Sequence, residues 1–517
     1  MSTDVATTET PRMRTYGNAS EQRIPGVLGL SLAASIVAGA AAMLVLLLLW
    51  VGGFLIPAGL VLLLAVPAVA MVQSKDRNGR SPVEKKIAQR MFKKAKKNGY
   101  TSYKSGPASQ LPDGTYRAPG LLSNTQPIEG HTTFGEPFVM LWDPSLQTGS
   151  VFLATTSKGV GLMDQEQVDH LVDAWAAFQR DAGGVASQVQ ISVTTQTTAD
   201  PGERLKDAVQ VARTEAGASE TDSFAREVIN EVVEDLSQWT PRVEQWITMT
   251  FSGRASQDGS LPARSVDELV EEIASIIPGF LELASASGGG AVELMHTSDL
   301  TDLAHIAYNP HAAASVERAR LTSAGTGLTW DEIGPTYHEV RETPMHHLEH
   351  SDAYSKSWQL RLPPSGTFRE TGLQSLLGPD DRFMQKRVTV FYRPADPETS
   401  QKEVNAQVTN AEFAINQRNQ KVTAADRLAV RKAHQASEEQ TLGASMVKFS
   451  LMITVTVPSV SSLPQAEAAI RQKGSQGIQL RLRDCPRNDD SAFAMSLGLG
   501  VVPTLVATFP ESVRKAL

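Results

Sequence analysis

His346, His347 and His350, followed by Asp352, form the sequence's main cluster of metal-ligating side chains. On a helix, His346 and His350 would stand one turn apart and could share a zinc ion. The surrounding residues favour strands, where the two lie ~13 Å apart along one face, so the cluster reads as a solvated strand end. His170 and His305 sit on helical faces at a core edge or the surface. The single cysteine, Cys485 beside Pro486, reads as a small buried residue on a strand, and one cysteine builds neither an internal disulfide nor a thiolate metal cage. Gly159-Val160-Gly161 and Gly498-Leu499-Gly500 lack the third glycine of a dinucleotide fingerprint and read as ordinary turns.

Phosphate chemistry has no support either. GxxxxGK[ST] does not occur, nor does any Gly-Lys dipeptide, so the backbone cradle and lysine of a P-loop ATPase are missing. There is no GxSxG elbow and no HExxH. A metal-dependent transferase would need an Asp-x-Asp pair at a cleft, and neither Asp302 nor Asp380-Asp381 forms one. No catalytic, cofactor-binding or metal residue is therefore nominated.

What the residues do specify is placement. From Ile24 to Gln73 there is no Asp, Glu, Lys or Arg, a length that crosses a ~30 Å hydrocarbon core twice. Gly52-Gly53 divides it into spans at 28–51 and 54–72, with Pro67 expected to kink or weaken the second. In the first span Ser31, Ser35 and Gly39 recur every four residues. Small residues at that spacing let helix backbones approach closely, so this half is the candidate for contact with another helix, with apolar filler the alternative.

Charge is divided along the chain. Residues 1–104 hold 14 Lys and Arg against 5 Asp and Glu; residues 105–517 hold 34 against 51. An acidic body argues against direct nucleic-acid binding, which needs clustered cations. Basic residues collect on the cytoplasmic side of membrane spans. The eleven in Lys75–Lys104 therefore predict a cytoplasmic-membrane protein with both termini in the cytosol.

Within that stretch Ser81-Pro82-Val83-Glu84 has the form of an N-cap with a capping box, and Asn98-Gly99 supplies the stop. Val83, Ile87, Met91 and Ala95 mark one face; Lys86, Arg90, Lys93, Lys94 and Lys97 mark the other. Such a helix can lie on anionic headgroups, with its lysines snorkelling. Packing on its own protein and contact with nucleic acid are the alternatives.

The remaining pattern is α+β. Phe138–Trp142 and Val151–Thr155 read as strands, and Asp164 caps a helix with Gln167 in the capping-box position. In 189–194 Val189, Ile191 and Val193 face inward, and Gln190, Ser192 and Thr194 face solvent. The second half repeats the theme, with strands near 339–348, 353–362, 387–393 and 447–458 and a long helical stretch over 399–440. The expected architecture is a two-helix transmembrane hairpin followed by ferredoxin-like (split βαβ) sheets with helices on one face. The parts are a polar leader (1–23), the hairpin (24–73), the basic juxtamembrane helix (74–104), a first α/β domain (105–290) and a second α+β domain (291–517). Ser285–Gly290 is the hinge, and the apolar Leu497–Ala507 is too short to span a membrane.

Five segments carry a resemblance: Arg14-Thr15-Tyr16-Gly17-Asn18, Tyr103–Pro107, Met163–Asp169, Gly327–Pro335 and Arg387–Pro394. Together they resemble actinobacterial membrane proteins of conjugation-type loci, over nearly the whole chain. The hairpin looks like the small PrgI-type inner-membrane subunit of type IV secretion systems. The cytosolic part is similar to the non-catalytic N-terminal portion of the large VirB-type ATPase. The resemblance implies a non-catalytic membrane subunit that docks a separately encoded ATPase beside other membrane subunits. It makes the segment around Trp330 family-typical and a possible partner contact. A two-span component of a type VII-like secretion complex, and a membrane-anchored transferase, are the alternatives.

Overall fold

The computed structural model describes residues 32–507, except 53–54, 77, 110–113, 157–158, 160, 162, 201, 216–223, 225–226, 234–240, 256–261, 323, 363, 365–367, 417–423 and 442. Two apolar helices come first, α1 (Leu32–Gly52) and α2 (Leu55–Gln73), followed by α3 (Pro82–Lys97). The leader 1–23 and Ser31 lie outside the described residues. α1 and α2 pack side by side. Their more covered positions are mostly small: Ala34, Ala38 and Ala41 on α1, and Ala58, Val61, Ala65 and Ala68 on α2. These recur at spacings of three and four, the spacing of a seam between close helices. Pro67 stays inside α2, which continues through it.

The rest of the chain builds one antiparallel sheet, 13-stranded among the described residues. Its first strands are β1 (Ser102–Lys104), β2 (Gln126–His131), β3 (Pro137–Asp143), β4 (Thr148–Thr156), β5 (Gln188–Ala199), β6 (Pro241–Ser252) and β7 (Ala291–Leu294). Then come β8 (Tyr337–Arg341), β9 (His347–His350), β10 (Ala353–Leu362), β11 (Gln385–Pro394), β12 (Val447–Val457) and β13 (Arg481–Asp484). The main helices among them are α4 (Gln165–Gly184), α5 (Glu203–Glu215), α6 (Val266–Ala284), α7 (Thr297–Tyr308), α8 (Ala313–Arg320), α9 (Pro397–Asn416), α10 (Ala424–Thr441), α11 (Leu463–Ser475) and α12 (Asp489–Ser496). Strand order is β1-β8-β9-β10-β12-β11-β5-β6-β4-β3-β2, with β7 on β4 and β13 on β10.

That order is one unit used twice. β2, β3 and β4 form a meander, α4 carries the chain from β4 to β5, β6 fills the gap between them, and α6 leads to β7 on β4. β8, β9 and β10 form a second meander, β12 fills the gap between β10 and β11, and α11 leads to β13 on β10. The orders β7-β4-β6-β5 and β13-β10-β12-β11 are both the split βαβ order. The units meet at the β5–β11 pair, where Thr194 stands opposite Thr389. The expected boundary at Gly290 falls inside the first unit: residues 285–289 continue α6 as a π turn, and β7 just beyond pairs with β4.

Helices cover both faces of the sheet, whereas the sequence pattern predicts them on one face only. Side chains alternate across a strand, and both sets are buried here. Phe138 and Met140 join a core with Leu269, Ile273 and Ile277 of α6. Val139 and Leu141 join another with Leu300 and Tyr308 of α7 and Phe493 of α12. The polar set of β5 is covered too: Gln190, Ser192 and Thr194 are buried, not solvated. The chain after α12 lies over them. Gln190 Nε2 donates to the Val501 carbonyl (3.2 Å), Thr248 Oγ1 to that of Gly498 (2.6 Å) and Thr389 Oγ1 to that of Ser496 (2.7 Å). A polar strand face survives burial because backbone carbonyls replace water as its partners. Ile478 and Leu480 precede β13 in a loop, with Gln479 at φ 50°.

Candidate membrane-facing surface

Outside their seam, α1 and α2 present large apolar side chains to their surroundings. Met43, Trp50, Ile56 and Leu63 expose 72%, 87%, 88% and 69% of their surface. Each such side chain is worth about 1.5–3 kcal/mol when removed from water, so this surface requires an apolar medium. Ala34–Gly52 is long and apolar enough to cross a membrane; Leu55–Met71 is apolar but shorter. Of the small-residue set, Ser35 is partly covered. Gly39 is exposed, with nothing within 4 Å of an added Cβ. The seam with α2 thus runs mainly through alanines, and Gly39 lies outside it.

The connection to α3 is built, not loose. Asp76 Oδ1 accepts from the backbone N–H groups of Asn78 and Arg80 (2.9 Å each), and its Oδ2 pairs with Lys85 at 2.7 Å. Burial is the largest single influence and raises the Asp76 pKa, but these bonds and the Lys85 charge together outweigh it and hold the carboxyl below its ordinary value. Gly79 takes φ 74° beneath Arg361 of β10. α3 then starts with the full capping box: Glu84 N–H donates to Ser81 Oγ (3.2 Å), and Ser81 N–H to Glu84 Oε2 (2.7 Å).

With about 3.6 residues per turn, α3 divides into three arcs. Phe92 is buried in the body's core, with Ala88 and Ala95 beside it partly covered. Val83, Ile87 and Met91, the other part of the expected apolar face, stay exposed at 41%, 36% and 51%. The third arc holds Lys86, Arg90, Lys93, Lys94 and Lys97, all exposed. Packing on its own protein is the alternative to headgroup contact, and the Phe92 edge of α3 does pack on the body while the basic side stays exposed. Its apolar stripe borders the body contact on one side and the basic residues on the other.

Comparison with protein-family models returned no match, and comparison with curated proteins returned none either.

The other expected positions fall differently. The histidine cluster is not a solvated strand end, since His347 and His350 are buried in β9. His350 Nδ1 donates to the Tyr308 carbonyl (2.7 Å), and Nε2 accepts from Ser355 Oγ (2.7 Å), which in turn meets Thr456 Oγ1 (2.7 Å). Burial drives the pKa of His350 down to about 4. Burial, with a contribution from His350, drives that of His338 to about 3. Both are neutral core residues at pH 7. Among the described residues no group of three or more His, Cys, Asp or Glu could hold a metal.

Trp330 is no surface anchor. It is buried, and its Nε1 donates to Thr125 Oγ1 (3.1 Å). Its segment meets another segment of the family resemblance, where Ser105 Oγ donates to the Pro335 carbonyl (2.6 Å). Cys485 is buried just after β13, and burial pushes its thiol up to about 12. The carboxylates considered for a transferase are held by cations. Asp302 takes Arg320 at 2.7 Å and Thr326 at 2.6 Å. Burial raises Asp380, but Arg382 and Lys473 outweigh it and hold the carboxyl at about 2.

Some features had no signal in the sequence. Arg387, first residue of a resemblance segment, is fully buried and stacks 4.8 Å from the Phe493 ring, with Nε and Nη1 unpartnered. Next to it Lys386 faces the opposite side of the sheet, and its Nζ donates to the Gly378 carbonyl. A cleft of 160 Å³ opens where the two units meet, lined by Gln196, Arg242, Glu317 and Gln385 among others. Arg204 and Arg242 each pair with Glu317 at 3.2 Å. Arg242 also pairs with Glu244 at 2.7 Å, so two cations meet two carboxylates, and no nucleophile or acid–base pair stands among them.

Proposed function

We propose that the chain is a non-catalytic subunit of the cytoplasmic membrane, a hairpin-anchored platform that docks a separately encoded secretion or conjugation ATPase beside other membrane subunits. The observation that carries the membrane part is α3, whose exposed apolar stripe and flanking lysines follow directly on two apolar helices. In this reading both helices cross the bilayer, α2 with its 19 residues near the short end of spanning helices. The turn held by Asp76 brings α3 down onto anionic headgroups, with both termini in the cytosol.

The ATPase rests on the resemblance to conjugation-type membrane proteins, supported by the missing phosphate loop and by carboxylates already paired with cations. A two-span subunit of a type VII-like complex accommodates the same layout. The Asp302–Arg320 and Asp380–Arg382 pairs count against a membrane-anchored transferase. Detergent extraction followed by affinity capture of the full chain tests the docking: retention of the ATPase encoded beside it supports the platform, and its consistent absence rejects it. Reporter fusions after residue 105 test the orientation, which fails if they are active only outside the cell.

A further inference from the structure

The two units each carry a helical insertion at the same topological position, between the paired strands β5 and β6 and between β11 and β12. The first comprises α5 and the helical residues 227–233; the second is the α9–α10 hairpin. Each is tied internally, by Arg213 Nη2 on Asn230 Oδ1 (2.9 Å) and by His434 Nε2 on Glu412 Oε1 (3.2 Å). Because β5 and β11 are antiparallel neighbours, the chain enters the insertions from opposite ends of that strand pair.

Their outer faces are unpartnered and opposite in charge. Residues 227–233 carry Glu227 and Glu231 one turn apart, beside Val228 and Val232, which are 40% and 48% exposed. α10 carries Arg427 and Arg431 with the same spacing, beside Leu428 at 44%. On a helix, residues four apart share a face, so 227–233 shows an apolar strip edged by two glutamates, and α10 shows a single exposed leucine beside two arginines. Among the described residues none of these four charged side chains has an ion-pair partner.

We propose that the 227–233 face of one copy docks on the α10 face of a second copy, head to tail. Glu227 and Glu231 pair with Arg427 and Arg431, and Val228 and Val232 close on Leu428. A face of one sign cannot pair with its own copy without like-charge repulsion, which rules against a two-fold contact of either face with itself. The two faces lie on different insertions, so the contact is heterologous and leaves each end copy with one free face.

The test uses the full chain in detergent, followed by size-exclusion chromatography with light scattering. The wild type is expected to run beyond a monomer. Glu227→Lys with Glu231→Lys, and separately Arg427→Glu with Arg431→Glu, should each weaken self-association at least tenfold. Mixing these two variants should restore it, since every junction then joins opposite charges again. In a Cys485→Ser background, Val228→Cys with Leu428→Cys should give a crosslinked ladder with a short bismaleimide, and Val228→Cys alone should not. A monomeric wild type, unchanged mass in both reversed variants, no recovery on mixing, or self-crosslinking of Val228→Cys would each overturn the proposal. The altered side chains are exposed, and an unchanged melting temperature confirms that lost mass is not lost folding.

Discussion

Thr194 and Thr389 stand opposite each other where the two units join, their hydroxyls 3.1 Å apart. Thr389 donates onward to the Ser496 carbonyl, so its oxygen accepts the proton of Thr194. The seam between the repeated units is therefore polar and roofed by the segment after α12. Gly498 is where that roof presses on the seam, with φ 64° and no room for a side chain, since a Cβ would collide with Thr194 Oγ1.

Gly498→Ala should therefore cost roughly 2–5 kcal/mol, from left-handed backbone strain together with overpacking. Gly99→Ala, also at positive φ but with open space around it, should cost only the backbone part, ~1–2 kcal/mol. Denaturant unfolding of the detergent-solubilised chain compares them. Equal losses would mean that the roof does not press on the sheet.

Acid should loosen the body through its buried histidines. The folded pKa values of His350 and His338, about 4 and 3, lie below the ordinary 6.5. Their contribution is full above pH 6.5 and is lost as pH falls toward those values, by at most roughly 1.4 kcal/mol per pH unit per residue. His350→Gln should start lower at pH 7.5, by about 1–3 kcal/mol from broken hydrogen bonds, yet decline less steeply below pH 6.5. Stability against pH, followed by near-ultraviolet circular dichroism, provides the slopes.

Asp489 predicts the opposite trend. Burial, and then the neighbouring Asp490, push its carboxyl up to about 8, and its Oδ2 has no partner. A raised carboxyl contributes fully below its unfolded value near 3.8, and the contribution is lost as pH rises toward 8. Asp489→Asn should remove that decline and leave the protein more stable at pH 8.5 by roughly 1–3 kcal/mol. A variant no more stable than wild type at that pH would show that the carboxylate is accommodated after all.

At α3 the membrane reading makes a labelling prediction. In anionic proteoliposomes a cysteine at Met91, in a Cys485→Ser background, should react at least tenfold more slowly with a water-soluble maleimide than in zwitterionic ones. High salt should reduce the protection. Replacing Lys86, Arg90, Lys93, Lys94 and Lys97 by Gln should abolish it, since each basic charge near an anionic surface is worth ~1 kcal/mol. Equal reactivity in both lipids would detach α3 from the bilayer.

The sequence by itself determined whatever depends on a few consecutive residues. The apolar run of α1 and α2, the Ser81–Glu84 capping box, the Asp164 cap, strands β3 and β4, the alternation in β5 and the absence of a phosphate loop all follow from local spacing. It also suggested a repeated theme and a ferredoxin-like architecture, while the strand order came only from the structure. Only the tertiary structure decided what lies opposite each face. Gln190, Ser192 and Thr194 are polar and alternate correctly, yet they are buried: Gln190 meets the Val501 carbonyl and Thr194 the Thr389 hydroxyl, both distant in the chain. His347 and His350 look solvated but are core residues, and Trp330 looks like an anchor but spends its N–H on Thr125. On α3 spacing placed Val83, Ile87, Met91 and Ala95 on one face, but not that Phe92 turns one edge of it into the body and leaves the stripe outside. Periodicity reports which residues share a side; burial depends on the partner that arrives there, and that partner is distant in the chain.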